Sequence, residues 1–170
     1  LKNYQVNADI AKVESVCHCL ILALMQLPKT DFLALTYLNP TRLNAHKDLV
    51  LLQQCAELLQ KGQFGEFWEL YVSVPDIFFS SAAGFVDAVR VFILVNMRDS
   101  FRSVAKEYFQ NSLGLDADSI ITYCQSNEFV EKIDGEVVVF TTNEHNRNDS
   151  SGQSQSGLRM EGSLRLGDFL

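Results

Sequence analysis

The chain is short of positive charge. Its 14 Lys and Arg stand against 21 Asp and Glu, a formal net charge of -7 over 170 residues, so its average surface repels phosphate backbones and anionic headgroups. Neither nucleic acid nor a membrane surface is the default partner. A long apolar run is also missing. The longest, Cys19 to Leu27, is interrupted by Gln26 and closed by Pro28, well below the roughly 20 residues of a membrane span. The four cysteines, Cys17, Cys19, Cys55 and Cys124, are widely scattered in a chain too large to need disulfide staples. Reduced thiols and a cytoplasmic setting are expected. The first residue is Leu rather than Met, which reads as a start inside a longer natural sequence.

Arrangements that carry chemistry are equally scarce. In a helix Cys17 and Cys19 diverge by roughly 200° around the axis, so Cys17-His18-Cys19 does not close on one metal ion. Cys55 and Cys124 have no CxxC partner and suit small apolar fillers, while His46 and His145 fall at a helix start and in a polar tail. No Cys/His or Ser/His/Asp set is proposed from them. Neither the Walker pattern nor the dinucleotide fingerprint occurs, and Lys61-Gly62 has the order reversed for the former. Glu57, Glu66 and Glu69 fall on exposed helix faces. No enzyme activity, cofactor or metal is expected.

What is present is apolar patterning, 47% of the chain, enough for a sizeable core. Ile10, Val13, Cys17, Leu20, Ile21 and Leu24 form one helical stripe within Asn7 to Leu27, with Asn7 as a possible cap and Pro28 as the stop. A shorter helix over Phe32 to Leu38 follows Thr30-Asp31 and ends before Pro40. From about Asn44 a third helix places Leu49, Leu52, Ala56 and Leu59 inward and stops at Gly62. Phe64 to Val72 then returns as its hairpin partner. Short helices with tight connections suggest a helical-repeat (HEAT/TPR-like) half over residues 1–84.

After Pro75 the pattern changes. Phe85 to about Met97 reads as a central, largely buried helix with Val89, Phe92, Ile93 and Asn96 on one stripe. Ala105 to Leu113 is a further helix closed by Gly114, and another, capped by Asp116 or Asp118, runs to about Phe129. Val130 to Ile133 and Glu136 to Phe140 flank Asp134-Gly135, the pair suited to a type I′ hairpin turn. A helix-turn-helix followed by a hairpin is a winged helix, over residues 85–142. Residues 143–170 are a polar linker and tail: Asn143 to Gly157 has almost nothing apolar and is not expected to order by itself. Leu158, Met160, Leu164, Leu166, Phe169 and Leu170 then recover apolar character.

Three strings, Leu27-Pro28-Lys29-Thr30-Asp31-Phe32, Gly62-Gln63-Phe64 with Phe67-Trp68, and Gly84-Phe85-Val86-Asp87-Ala88-Val89-Arg90, resemble the k-subunit family of eukaryotic translation initiation factor 3. With the order of elements, the resemblance spans roughly Leu20 to Phe140. It implies a mostly α, PCI-type architecture and a scaffold role in a factor that binds the small ribosomal subunit and supports preinitiation-complex assembly. It also implies other subunits of that factor as partners, chiefly the l subunit. The small winged-helix subunits of the proteasome lid and the COP9 signalosome share this layout and are the alternative.

A winged helix often lays its second helix in the DNA major groove. Here that segment carries Asp116, Asp118 and Glu128 and no Lys or Arg, which forfeits the counterion release that drives such binding. Arg90, Arg98, Arg102 and Lys106 are the one basic run and read as a solvated edge. Protein contact is the better expectation. In Val137-Val138-Val139-Phe140 successive side chains point to opposite faces, so both faces of the strand are apolar. Val137, Val139 and Phe140, with Leu164, Leu166 and Phe169 of the tail, are therefore the candidate interface residues, through face burial or edge-strand addition. The alternative is that the tail folds back over the strand.

Overall fold

The structure, a computed structural model, describes residues 12–39, 43–75, 77–80, 82–116 and 118–147. These residues are mostly helical, with a small antiparallel sheet. Helix α1 spans Val13–Leu24 and buries Val16, Cys17, Leu20, Ile21, Ala23 and Leu24. The expected cap, Asn7, lies outside the described residues. Helix α2 is Asp31–Tyr37. Helix α3, Lys47–Lys61, opens on His46, whose Nδ1 accepts from the Asp48 amide at 3.4 Å. It closes on Gly62 at φ 75, with the Gln63 amide donating to Leu58 O, the left-handed stop glycine adopts without steric penalty.

Helix α4, Phe64–Ser73, packs on α3. A single turn, α5, Ile77–Ser80, follows that the sequence pattern did not reveal. Helix α6, Phe85–Ser100, runs three residues beyond the expected end. Its buried face is Phe85, Val89, Ile93, Leu94 and Met97. Of the two others placed on that stripe by their spacing, Phe92 is half exposed and Asn96 is exposed. An aromatic chain ties α4, α5 and α6 together, with ring centroids 5.1 Å apart for Tyr71–Phe79 and 4.6 Å for Phe79–Phe85.

Strand β1, Ser103–Ala105, leads into α7, Lys106–Leu113, then α8, Ser119–Ser126, β2, Val130–Asp134, and β3, Val137–Phe140. The sheet order is β1-β3-β2, all antiparallel. Strand β1 was not anticipated, since only Val104 of its three residues is buried and its partner lies more than thirty positions downstream. The hairpin turn also differs from expectation. Asp134 pairs with Val137, so the loop is Gly135-Glu136, and Gly135 at φ 60 alone takes positive φ there. A type I′ turn on Asp134-Gly135 would need positive φ at both.

One core runs through these elements, from α1 to β3. The junction of α4, α6 and α7 is closed by polar contacts at the end of α7. Trp68 Nε1 donates to Ser112 O at 2.8 Å. Arg90 Nε donates to Leu113 O at 3.0 Å and its Nη2 to Gly114 O at 3.1 Å. These carbonyls end a helix and have no partner within it, and a guanidinium also complements the negative helix end.

Candidate protein-interaction surface

Strand β3 alternates strictly. Val138 and Phe140 are fully buried, Phe140 against the ring of Phe109 with centroids 6.1 Å apart. Val137 is 38% exposed and Val139 half-buried on the other face. Register carries that outer face across the sheet: Val137 lies opposite Ala105 and Asp134, and Val139 opposite Ser103 and Lys132. The result is a small apolar centre, Ala105, Val137 and Val139, with Ser103 to one side and the Lys132–Asp134 ion pair at 3.3 Å to the other.

Two expectations are corrected by this geometry. Phe140 is a core residue of this chain and offers no surface to a partner. Strand β3 is central, hydrogen-bonded on both sides, so its apolar character cannot serve edge-strand addition. Among the described residues the free edges belong to β1 and β2, and β2 has a register break between Val130 and Lys132 that leaves Glu131 as an extra residue. Bulges and charges on an edge discourage strand pairing. Any contact made by Val137 and Val139 is therefore a face contact. Leu164, Leu166 and Phe169 lie outside the described residues.

The basic run is not a free solvated edge. Arg90 closes α7 and stands 5.5 Å from the Trp68 ring centre. Arg98 pairs with Asp99 at 2.9 Å and covers Phe129 at 4.7 Å. Arg102 binds Glu131 at 2.8 Å and the Phe140 carbonyl. Helix α8 is shorter than expected and has no Lys or Arg. Asp116 and Asp118 precede it, and Glu128 follows it. Asp116 Oδ1 accepts from the Ser119 amide at 2.9 Å, and hydrogen bonding from the Ser119 side chain and amide holds its carboxyl below the usual range.

The polar stretch after β3 is also more structured than its composition suggested. Asn146 is buried, its amide nitrogen donating to Arg98 O at 2.9 Å and Thr141 O at 3.0 Å, while its oxygen accepts from the Asn143 amide at 2.8 Å. Asn143 Nδ2 donates to Asp99 Oδ1 at 2.7 Å. These bonds fasten residues 143–147 to the end of α6. Neither this fastening nor the Trp68–Arg90 closure is visible in the sequence, because the partners of each are far apart in the chain.

Among the described residues no three His, Cys, Asp or Glu side chains are placed to hold a metal ion, and no helix is long and apolar enough to cross a membrane. The cysteines are free thiols. Burial pushes Cys17 up to about 11 and Cys55 up to about 12, and raises Cys124, the opposite of what a nucleophilic thiolate requires.

Three relatives share the name eukaryotic translation initiation factor 3 subunit K. The protein from Aedes aegypti is 30% identical over 150 residues, 86% of this chain and 65% of its own length. That from Dictyostelium discoideum is 30% identical over 139 residues, 81% and 56%, and that from Neurospora crassa 28% over 161, 86% and 66%. The chain thus spans a little under two thirds of the length of these relatives. The profile of the CSN8/PSMD8/EIF3K family matches residues 10–150, taking in both the helical half and the sheet. Over that span the chain belongs to the CSN8/PSMD8/EIF3K family.

Proposed function

We propose that this chain is a non-catalytic scaffold subunit of eukaryotic translation initiation factor 3, acting in the cytoplasm within the assembly that binds the small ribosomal subunit. The observation that carries this reading is the name shared by relatives that match it through both halves. Its chief partner is the l subunit, and its contact with the ribosome is through the complex.

The architecture supporting this role is of the PCI type. From Phe85 to Phe140 the order is helix, strand, helix, helix, strand, strand, the order of a winged helix. Before it, α1 packs on α2 and α3 on α4, as helical repeats do. The domain boundaries proposed are 1–84, 85–142 and 143–170, with Asn143 to Arg147 belonging structurally to the winged helix. Helix α8 has acids at its flanks and no basic residue, which favours a polypeptide partner over nucleic acid. The outer sheet face around Val137 and Val139 is the proposed contact.

The test is sedimentation of the tagged chain from cell extract through a sucrose gradient, with fractions probed for initiation factor 3 subunits. Co-migration with those subunits and with small ribosomal subunits is expected. Migration with proteasome-lid or signalosome subunits would replace this reading by its nearest rival within the family, and migration as a free small protein would end it.

A further inference from the structure

A groove runs beside α6, and the last described residues lie at one end of it. Two hollows make it up. One, about 290 Å³, is lined by Phe64, Met97, Phe101 and Tyr108. The other, about 340 Å³, is lined by Leu27, Pro28 and Leu33. Gln60, Phe92 and Asn96 line both, so the two hollows adjoin. Three large apolar side chains along it face water: Leu33 is 54% exposed, Phe101 44% and Tyr108 45%. Among the described residues, the charged ones lining it are Lys29 and Lys61, in a chain whose charge is otherwise dominated by carboxylates.

Asn146 is hydrogen-bonded to the carbonyls of Arg98 and Phe101, so the chain leaves the fold beside the Phe101 end of the groove. Residues 148–157 contain no apolar side chain, and Leu158, Met160, Leu164, Leu166, Phe169 and Leu170 follow. A Gly/Ser-rich stretch of that length reaches roughly 17 Å. That compares with about 14 Å along α6 from Phe101 back to Phe92. Residues 158–170 carry two Arg, one Glu and one Asp, so their side chains bring no net charge to oppose docking.

We propose that residues 158–170 dock in this groove of their own chain. Tethering raises the local concentration of the segment to about millimolar, so even a weak apolar fit is occupied.

The test is single-cut tryptic digestion of the full chain, with cleavage sites read by mass spectrometry. Arg147 is exposed and serves as the reference site. Cleavage after Arg159 and Arg165 is expected to be roughly tenfold slower in the unaltered chain than in the Leu33→Glu/Phe101→Glu chain, as for a segment docked about nine-tenths of the time. Leu166→Glu/Phe169→Glu, which changes nothing in the described fold, should release the same sites. Equal rates in all three chains would overturn the proposal. So would protection that disappears on Val137→Glu instead, which would put the segment over the sheet, or protection that grows with protein concentration, which would put it on a second copy.

Discussion

Gly114 holds φ 58 at the end of α7, and a Cβ there would stand 2.8 Å from Trp68 Cδ2. Gly62, at φ 75, has nothing within 4 Å of the same position. The two glycines share a backbone requirement and differ only in their neighbours, so alanine at each separates strain from collision. Gly62→Ala should cost about 1 kcal/mol, the order of a left-handed non-glycine residue. Gly114→Ala should cost on the order of 1–2 kcal/mol more, because the indole must shift and weaken its bond to Ser112 O. Urea midpoints at constant m-value check this; equal losses would mean that Trp68 is not held where described. At this scale both glycines were legible as helix stops. The Trp68 contact was not, because the Ser112 carbonyl that holds the indole there is 44 residues away.

For the elements, the clearest case is the hairpin. Asp134-Gly135 reads as the turn, but a loop there would set Ile133 opposite Glu136 and Val138 opposite Glu131. The observed register sets Ile133 opposite Val138, both turned toward the core. Packing thus overrode local turn preference, as it does wherever one sheet face is buried. The alternation itself was legible, but which residues faced inward depended on β1 and α7. Val138→Ala should cost roughly 2 kcal/mol through the cavity it leaves. Val137→Glu should cost no more than about 0.5 kcal/mol, being a surface change away from any cap or network. Thermal or urea unfolding of the two variants decides it; a larger loss at Val137 would reverse the assignment of faces.

Across the whole molecule, the helical character, the order of the longer helices and the hairpin, and the family resemblance were legible because apolar spacing and stop residues are local properties of the chain. The joining of its parts was not. Arg90, Arg98 and Arg102 look alike in sequence, yet the first closes α7, the second covers Phe129 and the third ties β1 to β2. Three arginines engaged in this way cannot also serve as a free basic patch, which is why the apolar centre of the outer sheet face is the contact we propose. The most direct measurement is affinity purification of the full chain from cytosolic extract, unaltered and as Val137→Glu/Val139→Lys, with bound proteins quantified by mass spectrometry and helical content by circular dichroism. Initiation factor 3 subunits should accompany the unaltered chain and fall several-fold with the variant while helical content is unchanged. Undiminished recovery of those subunits with the variant would contradict the assignment of this face as the contact.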